Sequence, residues 1–193
     1  VLVGEGQGIA HDLKHIAPGE GALIVSGDET DPLGNVTAFA YTAESLLEKV
    51  TYANGTTQSL TYDPAGNVTA ETDAEGNTKE YQYDKVNRLT AVIDELGNKT
   101  SYKYDALDNI AQVTDALKHI TRYTYDKNGN LLTETDALGN RVRYAYTPEG
   151  WLESITKADG TVLTFEYDKT GSLLTQHVGD GQTVESSYNE TGR

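Results

Sequence analysis

Several residue types are scarce in this 193-residue sequence, and each shortage excludes a class of protein. There is no cysteine, so the chain has neither a disulfide framework nor a thiolate metal site. No apolar run approaches the roughly 20 residues that cross a bilayer, so we expect no membrane insertion. Fifteen basic residues stand against thirty acidic ones, and the formal charge of -15 repels phosphate backbones. Nucleic acid is therefore not an expected partner.

The residues that are abundant favour strands and turns. Thirteen tyrosines stand beside only two phenylalanines and one tryptophan, and there are nineteen glycines. Mean hydropathy is -0.54, which is low for an ordinary domain with a large apolar core. Tyrosine and threonine are strand formers, whereas glycine, asparagine and aspartate are turn formers. The composition thus predicts an all-β protein with many short turns.

A tandem repeat of 21 residues runs through most of the chain. Each repeat begins with tyrosine, and the spacing has no insertion or deletion. A fixed period of this kind is typical of repeat architectures. Repeats start at Tyr41, Tyr62, Tyr83, Tyr104, Tyr125, Tyr146, Tyr167 and Tyr188. We name each repeat by this first residue.

Each repeat contains two strand-like runs and two turns. In the Tyr125 repeat, a D-x-x-G turn at 126–129 precedes one run and a second at 136–139 precedes the next. Aspartate opens such a turn by accepting a backbone hydrogen bond, and glycine closes it. Two short strands cannot bury enough apolar surface alone, so successive repeats must stack. We predict tandem β-hairpins that form a curled antiparallel strip with essentially no helix.

Two apolar rows run through the repeats. The seventh position is always aliphatic, which predicts a ladder of buried side chains that includes Leu131, with Leu132 on the opposite face by alternation. We expect Leu131→Ala to cost about 2 to 5 kcal/mol and Leu132→Ala less. The twentieth position is nearly always large and apolar or aromatic, and Val142, Tyr144 and Tyr146 illustrate how period 2 puts these side chains on one face.

The pattern sets the domain boundaries. Residues 1–27 are expected to form a degenerate N-terminal repeat or a connector, and residues 28–193 the repeats. The sequence starts without methionine and stops inside a repeat, so we expect a piece of a longer polypeptide.

This combination of motifs resembles a known family. The run Y-D-x-x-G-N-L, a second D-x-x-G-N and then Y-x-Y-D is similar to the Rhs, or YD-repeat, proteins over about residues 28–193. The resemblance implies a secreted or surface bacterial polypeptide whose repeats form a hollow β-shell around a C-terminal toxin domain. Its expected partners are further repeats of the same longer chain and that enclosed domain.

Candidate sites in the first residues have ordinary explanations. His11 and His15 have the i, i+4 spacing of zinc-binding histidines on a helix, but no third ligand is placed and glycines flank them. The Gly4–Gly8 segment lacks the lysine of a phosphate-binding loop and reads as a connector. His119 and His177 stand alone and are expected to be exposed.

The aspartate rows of the turns are the next candidates. Calcium-binding signatures are absent, and capping of the turns by the carboxylates explains the rows. Asp31-Pro32 and Asp63-Pro64 are similar to the DPxGL self-cleavage element of the family, but asparagine follows each turn where leucine is needed. The rows are Asp63, Asp84, Asp105 and Asp126 at the first turn and Asp73, Asp94, Asp115 and Asp136 at the second.

The tyrosine rows are a third candidate. With Trp151 as an anchor they could stack sugars, but aromatic rows at period 2 more often form a core. We therefore expect no catalytic, cofactor-binding or metal-binding residues and no enzyme. The leading hypothesis is a shell segment; the alternative is an adhesion or carbohydrate-binding surface module.

One turn residue departs from its row. Lys118 occupies the position that holds glycine in six of seven repeats, so if that position needs positive φ, Lys118 either adopts a strained left-handed backbone or forces a different turn between Asp115 and His119. The glycines are Gly55, Gly76, Gly97, Gly139, Gly160 and Gly181.

Overall fold

The computed structural model describes residues 25–179 and 181–185. Every element in this part of the chain is a β-strand, which confirms the all-β prediction. The strands are β1 Val25–Thr30, β2 Val36–Tyr41, β3 Leu47–Thr51, β4 Thr57–Tyr62, β5 Val68–Thr72, β6 Thr78–Tyr83, β7 Leu89–Ile93, β8 Lys99–Tyr104, β9 Ile110–Thr114, β10 Ile120–Tyr125, β11 Leu131–Thr135, β12 Arg141–Tyr146, β13 Leu152–Thr156, β14 Val162–Tyr167, β15 Leu173–Val178 and β16 Gln182–Glu185.

The chain divides into two compact halves between Lys99 and Thr100. In the N-terminal half, each strand from β1 to β6 pairs antiparallel with the next strand in sequence. In the C-terminal half, each strand from β8 to β15 does the same. Each half is thus an antiparallel strip of consecutive hairpins, as the 21-residue period predicts.

A β-bulge follows the first turn of every repeat whose pairing is described. Between β10 and β11, Thr124 pairs with Thr133 and Tyr125 with Leu131, so Leu132 is an extra residue between two pairs. One extra residue shifts the alternation of all that follow. The sequence analysis assigned Leu132 to the opposite face from Leu131 by simple alternation. The bulge interrupts that alternation at Leu132, so the argument for the assignment is wrong.

The bulges also shear the strip. In the N-terminal half, one straight row across the strands joins Ala40 to Lys49, Ser59, Thr72 and Thr78. Equivalent members of this row, such as Ser59 and Thr78, lie 19 residues apart, whereas the repeat has 21. Each repeat therefore steps two residues along the strand direction, which is the kind of stagger that lets a sheet coil.

Burial within each half is partial. Ala91, 1% exposed, is the one hydrophobic residue that is fully buried among the described residues. Leu131 is only half-buried, as is Leu132, so the predicted burial of Leu131 is wrong. The reason is that a folded domain buries side chains between two packed layers, whereas each half consists of a single sheet.

The two faces of each sheet differ in composition. The first, here called the tyrosine face, carries the leading tyrosine and the large residue two positions before it, as predicted. In the C-terminal half its rings include Tyr123, Tyr144 and Phe165, all half-buried. Burial raises the pKa of the Tyr123 phenol above 10.0, as it does for Tyr146. The second, here called the polar face, carries threonine, serine and charged residues.

Candidate functional site: the seam between repeats

The turns are the most regular feature of the repeats. In the turn that starts at Asp63, Gly66 N donates to Asp63 O at 3.0 Å and Asp63 N donates to Asn67 O at 2.9 Å. Gly66 has a φ of +86°. This is a type I turn closed by a left-handed residue, a common three-residue hairpin loop. The same pair of backbone bonds recurs in the turn that starts at Asp136.

The aspartate carboxylates cap these turns, as the sequence predicts. Asp63 Oδ1 accepts hydrogen bonds from Ala65 N and Asn67 N, both at 2.9 Å, and Oδ2 accepts one from Asn67 Nδ2 at 2.9 Å. The bond from the Asn67 amide is the largest of the influences that hold the pKa of Asp63 below its usual 3.8. The carboxylates are engaged inside their own turns. No group of three or more His, Asp or Glu side chains suited to a metal occurs within the described residues.

Within the described residues, four turns close on a residue other than glycine. Ser45, Asn87, Asp108 and Lys118 have φ values of 67°, 64°, 66° and 70°. Lys118 N still donates to Asp115 O at 3.1 Å, and Asp115 N donates to His119 O at 3.0 Å. Of the two alternatives expected for Lys118, the structure therefore has the left-handed backbone. The turn keeps its shape, and the lysine bears the strain.

The leading tyrosine joins its repeat to the one before. The hydroxyl of Tyr125 donates to Ile110 O at 3.0 Å, and the hydroxyl of Tyr167 donates to Leu152 O at 2.8 Å. In the N-terminal half, Tyr62 donates to Leu47 O at 2.6 Å. Each acceptor is the seventh residue of the preceding repeat, 15 positions earlier. Sequence reasoning assigned these tyrosines to a core and missed the hydrogen bond.

The extent of the strand pairing explains why this carbonyl takes a side-chain donor. The described register between β9 and β10 ends where Gln112 pairs with Arg122. Ile110 lies beyond that pairing, at the end of the strip where the first turns lie. A backbone carbonyl at partial burial needs a partner, and the tyrosine hydroxyl of the next repeat supplies it.

The turns of successive repeats also contact each other. Asn67 Nδ2 donates to Asn87 Oδ1 at 2.9 Å, from the sixth position of one repeat to the fifth of the next. At the same two positions in the C-terminal half, the ring of Trp151 packs on Gly171, where an added Cβ would lie 3.0 Å from the indole. Trp151 also packs against Tyr167 with ring centroids 5.5 Å apart. Hydroxyl bonds and turn contacts together form the seam between repeats.

The remaining candidates are placed as follows. His119 Nδ1 lies 2.9 Å from Asp115 Oδ2, so the histidine caps its own turn. His177 lies 3.7 Å from Glu166 and 3.0 Å from the Thr183 hydroxyl. Asp31 makes the same turn contacts as Asp63. His11, His15 and the Gly4–Gly8 segment lie outside the described residues, as does Tyr188.

Sequence reasoning also missed a set of exposed aliphatic turn tips. The third turn residue is leucine in four of the second turns, and these leucines are 76 to 88% exposed. The signal is visible as D-x-L-G or D-x-L-K in the sequence. The residues are Leu33, Leu96, Leu117 and Leu138.

The fold and the seam define a protein built of tandem β-hairpin repeats. The chain belongs to the RHS repeat family, because the family model matches it in seven overlapping segments that extend from residue 28 to residue 183. The segments are 28–57, 44–78, 62–94, 83–120, 104–141, 125–162 and 146–183. No curated protein matches the chain at a significant level.

Solved structures with this fold include parts of the Tc toxins. A chain in the crystal structure of TcdB2-TccC3-Cdc42 is similar with a TM-score of 0.65 and 15% identity, over 87% of this chain and 11% of that one. The Tc holotoxin pore of Photorhabdus luminescens is similar with a TM-score of 0.62 and 16% identity, over 84% and 11%. At these identities the likeness shows the fold, and the chain spans about a tenth of the matched chains.

Proposed function

We propose that this chain is a wall segment of a secreted or surface-exposed bacterial polypeptide whose repeats form a hollow shell around a C-terminal toxin or effector domain. The observation that carries the proposal is the likeness in fold to TcdB2-TccC3 over 87% of the chain. A related structure is described as TcdB2-TccC3 without its hypervariable C-terminal region. Such a region of the parent chain is the cargo that we propose.

The contacts of the seam support a role as a segment of a shell wall. Hairpins are joined by the hydroxyl bonds of Tyr62, Tyr125 and Tyr167 and by contacts between successive turns, and stability in such an array is a sum of repeat and interface terms. The two-residue shear per repeat favours coiling over a flat sheet. The partners we propose are therefore further repeats of the same longer chain and the enclosed domain.

We propose a structural and not a catalytic role for these residues. An active site usually gathers unlike polar groups in a water-poor cleft. Within the described part of the chain no polar or charged residue is fully buried, and the carboxylates of the turns are bound by their own loops. The described residues also include no helix long and apolar enough to cross a bilayer.

Limited proteolysis tests the shell function in a polypeptide that carries these repeats and a C-terminal domain. We expect the C-terminal domain to be cleaved much more slowly there than as an isolated domain. Gly171→Ala, which displaces Trp151 at a seam, should speed that cleavage, whereas Gly150→Ala, whose added Cβ meets nothing within 4 Å, should do so less. Cleavage of the parent as fast as that of the isolated domain would rule out enclosure.

A further inference from the structure

Five Asn-x-Thr triplets occur in the sequence, none with proline in the middle. Asn-x-Ser/Thr is the acceptor triplet of N-linked glycosylation, in which a sugar is joined to the asparagine side-chain amide. Four of these asparagines lie within the described residues, and the fifth, Asn189, lies outside them. The triplet alone is a weak signal, so the geometry of each asparagine decides whether it is an acceptor. The four are Asn35, Asn54, Asn67 and Asn98.

Three of the four have their amide nitrogen bound inside their own turn. In each, Nδ2 donates to Oδ2 of the aspartate that opens the turn, at 2.8 to 2.9 Å: Asn35 to Asp31, Asn67 to Asp63 and Asn98 to Asp94. Asn67 is held twice, because its Nδ2 also donates to Asn87 Oδ1 at 2.9 Å. Each nitrogen must leave a hydrogen bond to a charged carboxylate before it can react.

The turn that contains Asn54 is built differently, because it opens with Tyr52 in place of aspartate. Its backbone bonds are the usual ones, from Gly55 N to Tyr52 O at 2.8 Å and from Tyr52 N to Thr56 O at 2.9 Å. Asn54 itself supplies the cap. Its Oδ1 accepts hydrogen bonds from Thr56 N at 3.0 Å and from the Thr56 hydroxyl at 2.8 Å, which is an Asx-turn. The threonine of the triplet therefore fixes the orientation of the asparagine amide.

This orientation presents the nitrogen of the Asn54 amide. Both bonds from Thr56 go to Oδ1, and Nδ2 has no hydrogen-bond partner within the described residues. Asn54 is exposed and is the third residue of its turn, the same position as the exposed leucine tips. A Cβ added at the next residue, Gly55, would meet nothing within 4 Å. The turn tip therefore has room for a bulky group.

We propose that Asn54 is an N-glycosylation site, whose Nδ2 accepts a sugar from a glycosyl diphosphate under the action of a glycosyltransferase. In this step Nδ2 attacks the anomeric carbon of the sugar, so that a C–N bond forms and the C–O bond to the diphosphate breaks. The diphosphate leaves with the electron pair of the broken bond, and one amide proton passes to a base of the transferase. The donor is a sugar linked through the diphosphate to a nucleoside or to a lipid.

An equivalent turn in the C-terminal half has the same geometry without the nitrogen. Asp159, the 14th residue of its repeat as Asn54 is, accepts a hydrogen bond at Oδ1 from Thr161 N at 2.8 Å. The next residue, Gly160, has a φ of +86°, beside +83° for Gly55. Asp159→Asn therefore creates an Asn-Gly-Thr triplet on a backbone that already matches that of Asn54.

Mass spectrometry of the folded chain tests the site after incubation with each class of donor. One reaction uses UDP-glucose and a soluble N-glucosyltransferase, and the other uses a lipid-linked oligosaccharide and an oligosaccharyltransferase that accepts the minimal triplet. A peptide of residues 51–58 shows that each enzyme is active, and the added mass identifies the donor. We expect Asn54 to be modified at least tenfold faster than the three asparagines whose amides are bound to carboxylates. Asp159→Asn should add a second modified site.

Substitutions at two positions separate the acceptor from the fold. Asn54→Asp removes the nitrogen and keeps the oxygen that caps the turn, so it should abolish modification at this turn with unchanged melting. Thr56→Ser keeps the hydroxyl and should retain modification, whereas Thr56→Ala should lose it.

Three outcomes would overturn the site. The first is a folded chain that stays unmodified by both enzymes while the peptide reacts, and the second is an equal rate at all four described asparagines. The third is an Asp159→Asn variant that gains no second site, which would mean that the turn geometry does not present the amide. The result is independent of the proposed shell function, because it needs no C-terminal domain.

Discussion

At the scale of single residues, the repeat is held by a few positions whose roles are set by backbone geometry. The fifth position closes the first turn with positive φ, the sixth contacts the next repeat, and in Tyr62, Tyr125 and Tyr167 the first donates its hydroxyl to the repeat before. For a substitution at one of these positions, the equivalent position of another repeat has the same backbone conformation without the contact. Comparing the stability loss at the two positions separates the effect of the contact from the effect of the backbone.

Gly171 tests the contact between turns. Gly171→Ala and Gly150→Ala both put a side chain at positive φ, +86° and +90°, but only at Gly171 does the new Cβ meet the Trp151 ring. Overpacking typically costs about 1 to 3 kcal/mol, so Gly171→Ala should destabilise by that much more than Gly150→Ala in a denaturant titration. Trp151 is the only tryptophan, and its emission should change in the first variant alone. Equal losses would mean that the ring yields freely.

Lys118 tests the strain of the turn. Lys118→Gly should raise the free energy of unfolding by up to about 1 kcal/mol, because a left-handed backbone costs about 1 to 2 kcal/mol for a residue with a Cβ and the freedom of glycine in the unfolded chain offsets part of the gain. Lys118→Ala removes the charge and keeps the strain, so it is the control. A melting temperature of Lys118→Gly at or below that of Lys118→Ala would contradict the argument.

Tyr125 tests the hydroxyl bond. Tyr125→Phe removes the donor to Ile110 O, a change worth about 0.5 to 1.5 kcal/mol for a typical hydrogen bond. Tyr146→Phe is the control, since the structure gives its hydroxyl no hydrogen bond within the described residues. Chemical denaturation should show the difference between the two variants. A control that loses as much stability as Tyr125→Phe would show that ring packing, not the hydroxyl, joins the repeats.

At the scale of the hairpin, the turns were predictable from sequence and the bulge was not. The spacing of aspartate and glycine gives the turn type directly. Comparison with its counterparts limits Lys118 to a left-handed backbone or a different turn, and the structure has the first. The bulge at Leu132 leaves no mark in the sequence, because it depends on which pairs form across two strands. The seam depends on that register, so it was not predictable either.

The shear explains why residues that lie in one row across the strands are far apart in an aligned sequence. Lys103, Arg122 and Arg141 lie in such a row, yet they are 19 residues apart and occupy the 21st, 19th and 17th positions of successive repeats. An alignment with period 21 therefore separates them. Only the register across β8 to β12 brings them into line.

The hairpins should share one response to acid. Hydrogen bonds within the turn lower the pKa of Asp63, Asp94, Asp126 and Asp136 in the folded chain. A lowered carboxyl pKa contributes stability that is present above the unfolded value and is lost as pH falls through the folded value. We therefore expect the contribution of the caps to melting to be constant from pH 5 to 8 and to decline below about pH 4. A decline centred near pH 6 would implicate histidines instead.

At the scale of the whole molecule, the chain differs from an ordinary domain in where its stability lies. Each half has one sheet with half-buried side chains. Among the described residues, Ala91 in the N-terminal half is the one hydrophobic residue that is fully buried. Stability must then come from hairpins and seams summed along the array, with each repeat supported mainly by its neighbours. Composition alone indicated this, because a chain with low mean hydropathy cannot build a large core.

Residue-resolved hydrogen exchange tests the central claim most directly, which is that identical hairpins follow one another every 21 residues. We predict protected amides in the paired strand positions and fast exchange at the third residue of each turn, with the same profile recurring at 21-residue intervals through both halves. The repeats at Tyr62 and Tyr125 should therefore superpose when shifted by 63 residues. Protection without that period, or long unbroken protected runs across the turns, would contradict the account.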